Sequence, residues 1–474
     1  MLKPKTIDFK IKRNLTEEES AAFDVIKKLQ EAGFEAYFAG GAVRDELLGL
    51  DAHDIDIATS AKPEEIEKIF PKTFARGKAF GVMAVRVGDC EFEVATFRKD
   101  IGIADHRRPE SVEFTTAEGD ALRRDFTINA LFYDPIANKI IDFVNGLEDL
   151  DKKIIRFVGD PEERIEEDYL RMLRGVRFTA RFNFTIEPDS WSAIKNNSHK
   201  INQISIERIR DEISKMLLLD NRVLALELLS ESGLLKEVLS ELEVMKNVPQ
   251  PPEFHAEGDV WTHTMLALKN VGHPSAGGNS EELVWTVLLH DIAKPETLGT
   301  RDKPGRTSIT FFEHDTKGAV KAAEILERLR FSHQFIDSVS WAISQHMRIV
   351  SAFRGMSERK KKKLFCDPRI ELLLELTRAD LSASLRPDKN PEMDMYKAAV
   401  LLKEKCEKEM SEEERRQVRK FDLITGKDIM DILEIAPSPQ IGQIKSEIEQ
   451  AYLDGKINTR KEALKMMEKY RERI

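Results

Sequence analysis

"GGAVRDELLGLDAHDIDIAT", residues 40–59, decides how the first third of this 474-residue chain is read. A glycine pair precedes Arg44, and Asp54 and Asp56 follow with one residue between them. On a strand, side chains two apart point to the same face. Two carboxylates held side by side cannot both ionise comfortably without a cation. Oxygen donors of this kind suit Mg²⁺, which keeps waters and nucleotide phosphates as its other ligands. A two-metal site can activate an attacking hydroxyl and stabilise a leaving pyrophosphate. Gly40 and Gly41 offer backbone N–H groups and close approach to a triphosphate. Arg44, one turn on, would add a charge-assisted phosphate contact. A lone D-x-D is usually surface decoration; the G-G-x-x-R-D just upstream shifts the balance to a nucleotide site. Glu93 is either a third carboxylate facing the same metals or a cross-strand surface glutamate.

The surroundings of this stretch read as a small mixed sheet. Residues 15–33 form an amphipathic helix, with Thr16 and Glu19 placed as a capping box. Residues 34–39 make a short apolar strand, 43–48 a short helix, and 55–58 a strand around the aspartates. Residues 81–87 and 91–97 alternate at period two and predict a hairpin across Gly88 and Asp89. Residues 98–112 read as a polar loop, and 139–143 as one more strand. Residues 1–150 are therefore a mixed α/β head. After residue 160, apolar side chains recur at three- and four-residue spacing with almost no strand signal. A helical neck spans 151–245, and "NVPQPPEF" (247–254) marks a linker. A third, helical domain covers 255–405. An acidic-basic run at 407–420 reads as a solvated helix, and 420–474 as a helical tail. The fold class is α+β: a small mixed-sheet head followed by all-helical parts.

Bulk composition excludes several classes. Cys90, Cys366 and Cys406 are far apart and lack C-x-x-C spacing, against a disulfide framework or a zinc knot. A reducing cytoplasm fits. The N-terminus lacks the apolar core of a signal peptide. No apolar run approaches the ~20 residues needed to span a membrane. A net charge of −10 by itself counts against a nucleic-acid partner. However, the 74 Lys and Arg residues are unevenly spread. They cluster at 123–124, 171–181 and 359–363. The run "ERKKKKL" (358–364) reads as a solvated helix face.

Two further motifs carry chemistry. In "RRDFTINA" (123–130), Asp125 and Asn129 are four apart and share a face if the segment is helical. A carboxylate and an amide there can hydrogen-bond a ribose 2′-hydroxyl, which donates and accepts, while Arg124 meets phosphate or base. In "EDYLRMLRGVRF" (167–178), Asp168, Arg171, Arg174 and Arg177 recur every three residues, as a stripe on one helix. A salt-bridged solvated face is the bland account. The other is base selection. Cytosine presents an acceptor at N3 beside a donor at N4, and adenine the same pair at N1 and N6. An Arg donor beside an Asp acceptor matches both and rejects uracil and guanine.

Taken in order, G-G-x-x-R-D…D-x-D, "RRDFTINA" and the E-D-x-x-R segment resemble the bacterial class II tRNA nucleotidyltransferases. These are CCA-adding-type enzymes related to poly(A) polymerases, within the DNA polymerase β-like nucleotidyltransferase superfamily. The resemblance covers nearly the whole chain. It implies a head, neck, body and tail, with Asp54 and Asp56 as metal ligands. It implies nucleotide binding by Gly41, Arg44, Arg124, Asp168, Arg171, Arg174 and Arg177. It places "IERIRDEISKML" (206–217) in the neck and has the tail bind the tRNA elbow. Gly175 stands where the family pattern has alanine, which puts helix stiffness there in question.

The third domain carries a second candidate centre. His263, the adjacent pair His290–Asp291, His314, His346 and Asp380 follow one another along apolar helical sequence, with His255, His273 and His333 in the same region. Neutral imidazole with carboxylate suits Mn²⁺, Fe²⁺, Ni²⁺, Co²⁺ or Zn²⁺. Asp315 is an alternative ligand. Lys294, four residues after His290, would share its helix face and hold an anion. The pattern resembles an HD-type metal phosphohydrolase domain.

The expected function is transfer of CMP and AMP from CTP and ATP, with Mg²⁺, to tRNA 3′ ends. Recognition would extend over the acceptor stem and elbow, with no membrane involved. An A-adding enzyme, a poly(A) polymerase, and an HD phosphohydrolase acting on RNA ends are the alternatives. The resemblance further implies that the long 98–112 segment, in the place of a loop that family members adding only C tend to lack, favours an enzyme able to add A.

Overall fold

A computed structural model describes residues 4–11, 15–51, 55–103, 109–272, 280–303, 306–352, 355–391, 393–411, 423–436, 438–468 and 470. Asp54 and His273 lie outside the described residues, as does most of the 407–420 run. The chain divides into two compact units, Met1–Ser240 and Glu241–Ile474.

The first unit opens on β1 (Lys5–Asp8) and a helix, Glu17–Glu31. Its N-terminus is a capping box: Thr16 Oγ1 accepts from the Glu19 N–H, and the Glu19 carboxylate accepts from the Thr16 N–H at 2.8 Å. Ala22, Val25, Ile26 and Leu29, at three- and four-residue spacing, are its buried face. The chain then lays down β2 (Ala36–Ala39), β3 (Asp56–Thr59), β4 (Thr73–Gly77), β5 (Val82–Val87) and β6 (Cys90–Thr96). Next come β7 (Arg98–Ile103) and β8 (Pro109–Phe114), then β9 (Leu131–Asp134) and β10 (Lys139–Asp142). Eight of these form one sheet in the order β1-β10-β9-β2-β3-β6-β5-β4. The β3–β6 pair is parallel and the other pairs are antiparallel.

The expected polar loop at 98–112 is instead a separate antiparallel hairpin, β7–β8, with residues 104–108 outside the described set. Its apolar side chains are half solvated, Ile101 at 40% and Phe114 at 37% exposure, so burial imposes no clean alternation on its sequence.

Helices follow. Pro161–Glu167 starts at Asp160, whose carboxylate accepts the Glu162 and Glu163 N–H groups. Leu170–Phe182 packs near Phe126 and Ile194. A Cβ at Gly175 would meet Ile194 Cδ1 at 3.3 Å and Phe126 Cζ at 3.4 Å. The glycine thus allows a close approach, and the helix runs through it unbroken.

The second unit is largely helical, but Leu298–Lys303 and Arg306–Phe311 form a hairpin where only helix was expected. The three tail helices, Gly426–Leu433, Pro439–Leu453 and Arg460–Glu468, enclose Ile429, Ile444, Ile448, Ala463 and Met467. The basic run is not a plain solvated face. On the helix Glu358–Phe365, Lys360 pairs with Asp454 and Lys363 with Glu449, while Arg359 reaches Asn458 at 2.7 Å and lies over the Tyr452 ring. Its cations hold the tail.

Candidate functional sites

Strand register builds the first site. β2 ends at Ala39, directly before the glycine pair, and Ala39 pairs with Asp56 at the start of β3. On the other side Asp56 pairs in parallel register with Glu93 of β6. In-register neighbours share a sheet face, and both carboxylates are exposed while Ile57 and Val94 beside them are buried. Asp56, Glu93 and the glycine turn therefore sit at one end of the sheet. Gly40 has φ +70, and a Cβ on it would stand 2.7 Å from Arg124 Nη1. The positive φ favours glycine there, while the Arg124 guanidinium ends a flexible side chain that can shift.

"RRDFTINA" is not one helix. Only Thr127–Asn129 is helical, as a 3₁₀ turn, because Asp125 follows the end of Ala117–Leu122. The turn still brings the two polar side chains together: Asn129 Nδ2 donates to Asp125 Oδ1 at 3.0 Å. Arg174 Nε donates to Asp125 Oδ2 at 2.8 Å. Burial would raise the Asp125 carboxyl, but Arg174, Asn129 and Arg171 together hold it well below the usual carboxylate range. Arg124 is held by Asp120 at 3.1 Å and by the Asn129 carbonyl oxygen, also at 3.1 Å. Asp120, 1% exposed and shared by Arg123 and Arg124, went unnoticed in the sequence.

Arg44 departs from the expected phosphate contact. Its guanidinium is 3% exposed, donates to Asp45 at 2.8 Å and to Asn129 Oδ1, and stacks over Phe178 and Phe182. Asp45 in turn pairs with Arg181 at 2.9 Å. The arginine ties the glycine-turn helix Gly41–Leu47 to "RRDFTINA" and to Leu170–Phe182. Arg44→Ala leaves Asp45 with Arg181 alone and takes the donor from Asn129 Oδ1 in a buried site. It is expected to cost about 3 kcal/mol of stability, read as a lower Cm in urea with unchanged m.

The E-D-x-x-R segment also departs from a single helix. Pro161–Glu167 ends, Asp168 is extended (φ −152, ψ 103), and Leu170–Phe182 begins. The Asp168 carboxylate accepts the Leu170 N–H at 3.1 Å, which starts the second helix. Its other partner is Arg208 of the helix Ile206–Leu217, at 2.8 Å, a residue the motif reading missed. Arg171 bonds Glu167 at 2.6 Å and the Arg123 carbonyl oxygen at 3.2 Å. Arg177 bonds Glu212. Arg171, Arg174 and Arg177 do line one half-buried stripe.

In the second unit, His263, His290, Asp291, His314, His346 and Asp380 converge. Nδ1 of His290, His314 and His346 lies 2.8, 2.8 and 2.6 Å from the carbonyl oxygens of Val287, Phe311 and Ile343. A carbonyl only accepts, so each Nδ1 carries the proton and each Nε2 lone pair faces inward, the arrangement of a metal ligand. His263 Nδ1 donates to Glu257 at 2.8 Å, and His255 donates to the same carboxylate oxygen. Burial alone would lower the His263 pKa, but hydrogen bonds to Asp380 and Glu257 raise it to about 9. Burial, with His314 and His290 nearby, lowers His346 to about 4. His290 Nε2 is buried without a hydrogen-bond partner, whereas Asp291 Oδ2 has Lys294 Nζ at 2.7 Å. The inward imidazole lone pairs and converging carboxylates fit a divalent cation.

Two sequence expectations change here. Lys294 is not on the His290 helix, which ends at Leu289. It bonds Gln250 at 2.7 Å and lies 2.7 Å from Asp291 Oδ2. Asp315 turns to the Thr316 N–H and stays out of the cluster, and His333 is exposed. Glu257, unnoticed in the sequence, orients His263. Glu257→Ala is expected to weaken Mn²⁺ binding by about 10–100-fold in equilibrium dialysis.

The fold and sites together define a nucleotidyltransferase head joined to an HD-type domain. The chain matches the poly A polymerase head domain over residues 36–156, the "Probable RNA and SrmB- binding site of polymerase A" over 183–246, and the HD domain over 260–384. It is 35% identical over 462 residues to the CCA-adding enzyme of Ligilactobacillus salivarius, covering 96% of this chain and 97% of the relative. It belongs to the CCA-adding enzymes. The Bacillus stearothermophilus CCA-adding enzyme in complex with CTP superposes with a TM-score of 0.59 at 26% identity, over 97% of this chain and 99% of that one. The Thermotoga maritima CCA-adding enzyme complexed with tRNA shares the fold, with a TM-score of 0.57 at 20% identity, over 98% of each chain. Among the described residues, no helix is long and apolar enough to cross a membrane.

Proposed function

We propose that the chain adds CMP and AMP to the 3′ end of tRNA from CTP and ATP, with Mg²⁺ held by Asp54, Asp56 and Glu93. The carrying observation is the in-register placement of Asp56 beside Glu93 at the Gly40–Gly41 turn, in a chain that matches CCA-adding enzymes from end to end. Bound Mg²⁺ would polarise the terminal hydroxyl and neutralise the leaving pyrophosphate. The chain's own part is positioning. Gly40 and Gly41 admit the phosphates. Asp125 and Asn129 meet the ribose. Asp168 and Arg171 read the base. The division into head (1–150), neck (151–245), body (255–405) and tail (420–474) belongs to the same reading, as does a cytoplasmic location.

The test uses tRNAs ending before the first C of CCA, after the second C, and after A, with CTP and ATP separately and together. Full CCA on the shortest substrate, and no extension of the mature one, is expected. Addition of A alone would make it an A-adding enzyme. Long A tracts on unrelated RNA would make it a poly(A) polymerase.

A second activity, metal-dependent phosphohydrolysis of RNA ends by the HD cluster, is favoured by the convergence of four histidines and two aspartates around the unpartnered His290 Nε2. Release of phosphate from 2′,3′-cyclic or 2′-phosphate ends, lost in His290→Ala, is expected.

A further inference from the structure

We infer that Asp120 is a positioning residue for nucleotide transfer: its buried carboxylate holds the Arg124 guanidinium against the Gly40–Gly41 turn, where the triphosphate of the incoming nucleotide is admitted. The inference deepens the transfer reading, on which it rests, by a residue outside the three motifs. Asp120 lies on Ala117–Leu122, a helix started by Thr116, whose hydroxyl accepts the Gly119 N–H at 3.4 Å. Ala117 and Ala121 of this helix pack with Ala39, Ala130 and Phe132. Asp120 is carried into the interior beside them, and a buried carboxylate is costly unless it is paired.

The pairing is divided between the two oxygens. Oδ2 accepts from Arg124 Nε at 3.3 Å and from its Nη2 at 3.1 Å. Oδ1 accepts from Arg123 Nε at 2.9 Å, with Nη2 of the same arginine at 2.7 Å, and from the Arg98 N–H at 3.4 Å. Burial alone would raise this carboxyl, and the two arginines hold it below the usual carboxylate range. Arg124 gives its third nitrogen, Nη1, to the Asn129 carbonyl oxygen and lies over the Phe132 ring. With each nitrogen engaged, the planar guanidinium has one orientation. Its Nη1 is the atom that a Cβ on Gly40 would meet, so the arginine forms one wall of the turn.

Asp120→Asn breaks this arrangement at one particular arginine. An amide offers one acceptor oxygen and one NH₂ donor. The Oδ1 side faces N–H groups from both Arg123 and the Arg98 backbone, so the amide oxygen settles there and the NH₂ is turned toward Arg124. Donor then faces donor, and the guanidinium loses its hold beside the turn. Arg171 is held separately, by Glu167 at 2.6 Å and the Arg164 carbonyl oxygen at 2.9 Å. Reading of the base is therefore left standing while the grip on the triphosphate is loosened.

The test measures kcat and KM on the full-length protein, for CTP with tRNA ending before CCA and for ATP with tRNA ending in CC. Asp120→Asn is expected to raise both nucleotide KM values about 10–100-fold. The KM for tRNA and the rejection of UTP and GTP should stay as in the parent, a split that general damage to the head would not give. The Asp120→Asn/Arg124→Ala pair should show a nucleotide KM no higher than Arg124→Ala alone, because both substitutions remove one interaction. Asp120→Glu, which keeps two acceptor oxygens, should recover most of the loss. Thermal unfolding of each sample checks that it is folded. A folded Asp120→Asn protein with the parent's nucleotide KM, or losses that add in the pair, would overturn the inference. So would an unchanged nucleotide KM in Arg124→Ala, whether or not the Asp120 variants fold. A parent protein that adds no nucleotide would overturn the transfer reading as well.

Discussion

Asp56→Ala is expected to lower the rate of CMP and AMP incorporation at least 10³-fold, equivalent to about 4 kcal/mol of transition-state stabilisation. The carboxylate sits where β3 begins, between Ala39, which leads into the glycine turn, and Glu93 on the parallel neighbour. Among the described residues, no other strand position is flanked by both the glycine turn and a second exposed acid. The side chain is exposed, so removing it touches no core packing, and stability should move by no more than about 0.5 kcal/mol. The measurement is incorporation of labelled nucleotide into CCA-less tRNA, beside thermal unfolding of the same sample. Activity within tenfold of the parent, in a folded variant, would remove Asp56 from the chemistry. Glu93→Gln separates its two readings. A third metal-facing carboxylate loses at least tenfold in activity, whereas a surface glutamate loses nothing measurable.

The head was legible because its chemistry is local. G-G-x-x-R-D and D-x-D lie within twenty residues of each other and depend on backbone rules: glycine for a positive φ, period two for a strand. The parallel partnership of Asp56 with Glu93 was not legible, since strand register is set by non-local pairing. The hairpin at 98–114 escaped for a related reason, its solvated faces leaving no alternation to read.

Arg44 shows a different limit. An arginine beside a glycine turn has two sensible roles, and sequence order cannot separate them. Phe178 and Phe182, more than a hundred residues on, supply the stacking surface that draws it inward. The histidine cluster was legible in its six members but not in Glu257, whose carboxylate orients His263.

Asp168→Ala is expected to relax the preference for CTP and ATP over UTP and GTP by about 10–100-fold, equivalent to about 1–3 kcal/mol per lost base contact. Cytosine and adenine share an acceptor–donor edge, and a carboxylate acceptor next to an arginine donor matches it. The structure gives that pairing a support the motif did not reveal. Asp168 lies in the break between Pro161–Glu167 and Leu170–Phe182, clamped by two bonds from Arg208 at 2.8 and 3.2 Å. Arg171 is steadied by Glu167 and by the backbone of Arg123 and Arg164. Both side chains are half-buried, so neither swings freely to accept a wrong base. Arg208→Ala should then act through Asp168. Selectivity falls in the single variant, and the Asp168→Ala/Arg208→Ala pair is no less selective than Asp168→Ala alone, a non-additivity that marks one shared interaction. The measurement is kcat/KM for each of the four nucleotides on tRNA ending before CCA and on tRNA ending in CC. Asp168→Ala protein that still rejects UTP and GTP as the parent does would place base selection elsewhere on the stripe, with Arg174 and Arg177 the next residues to test.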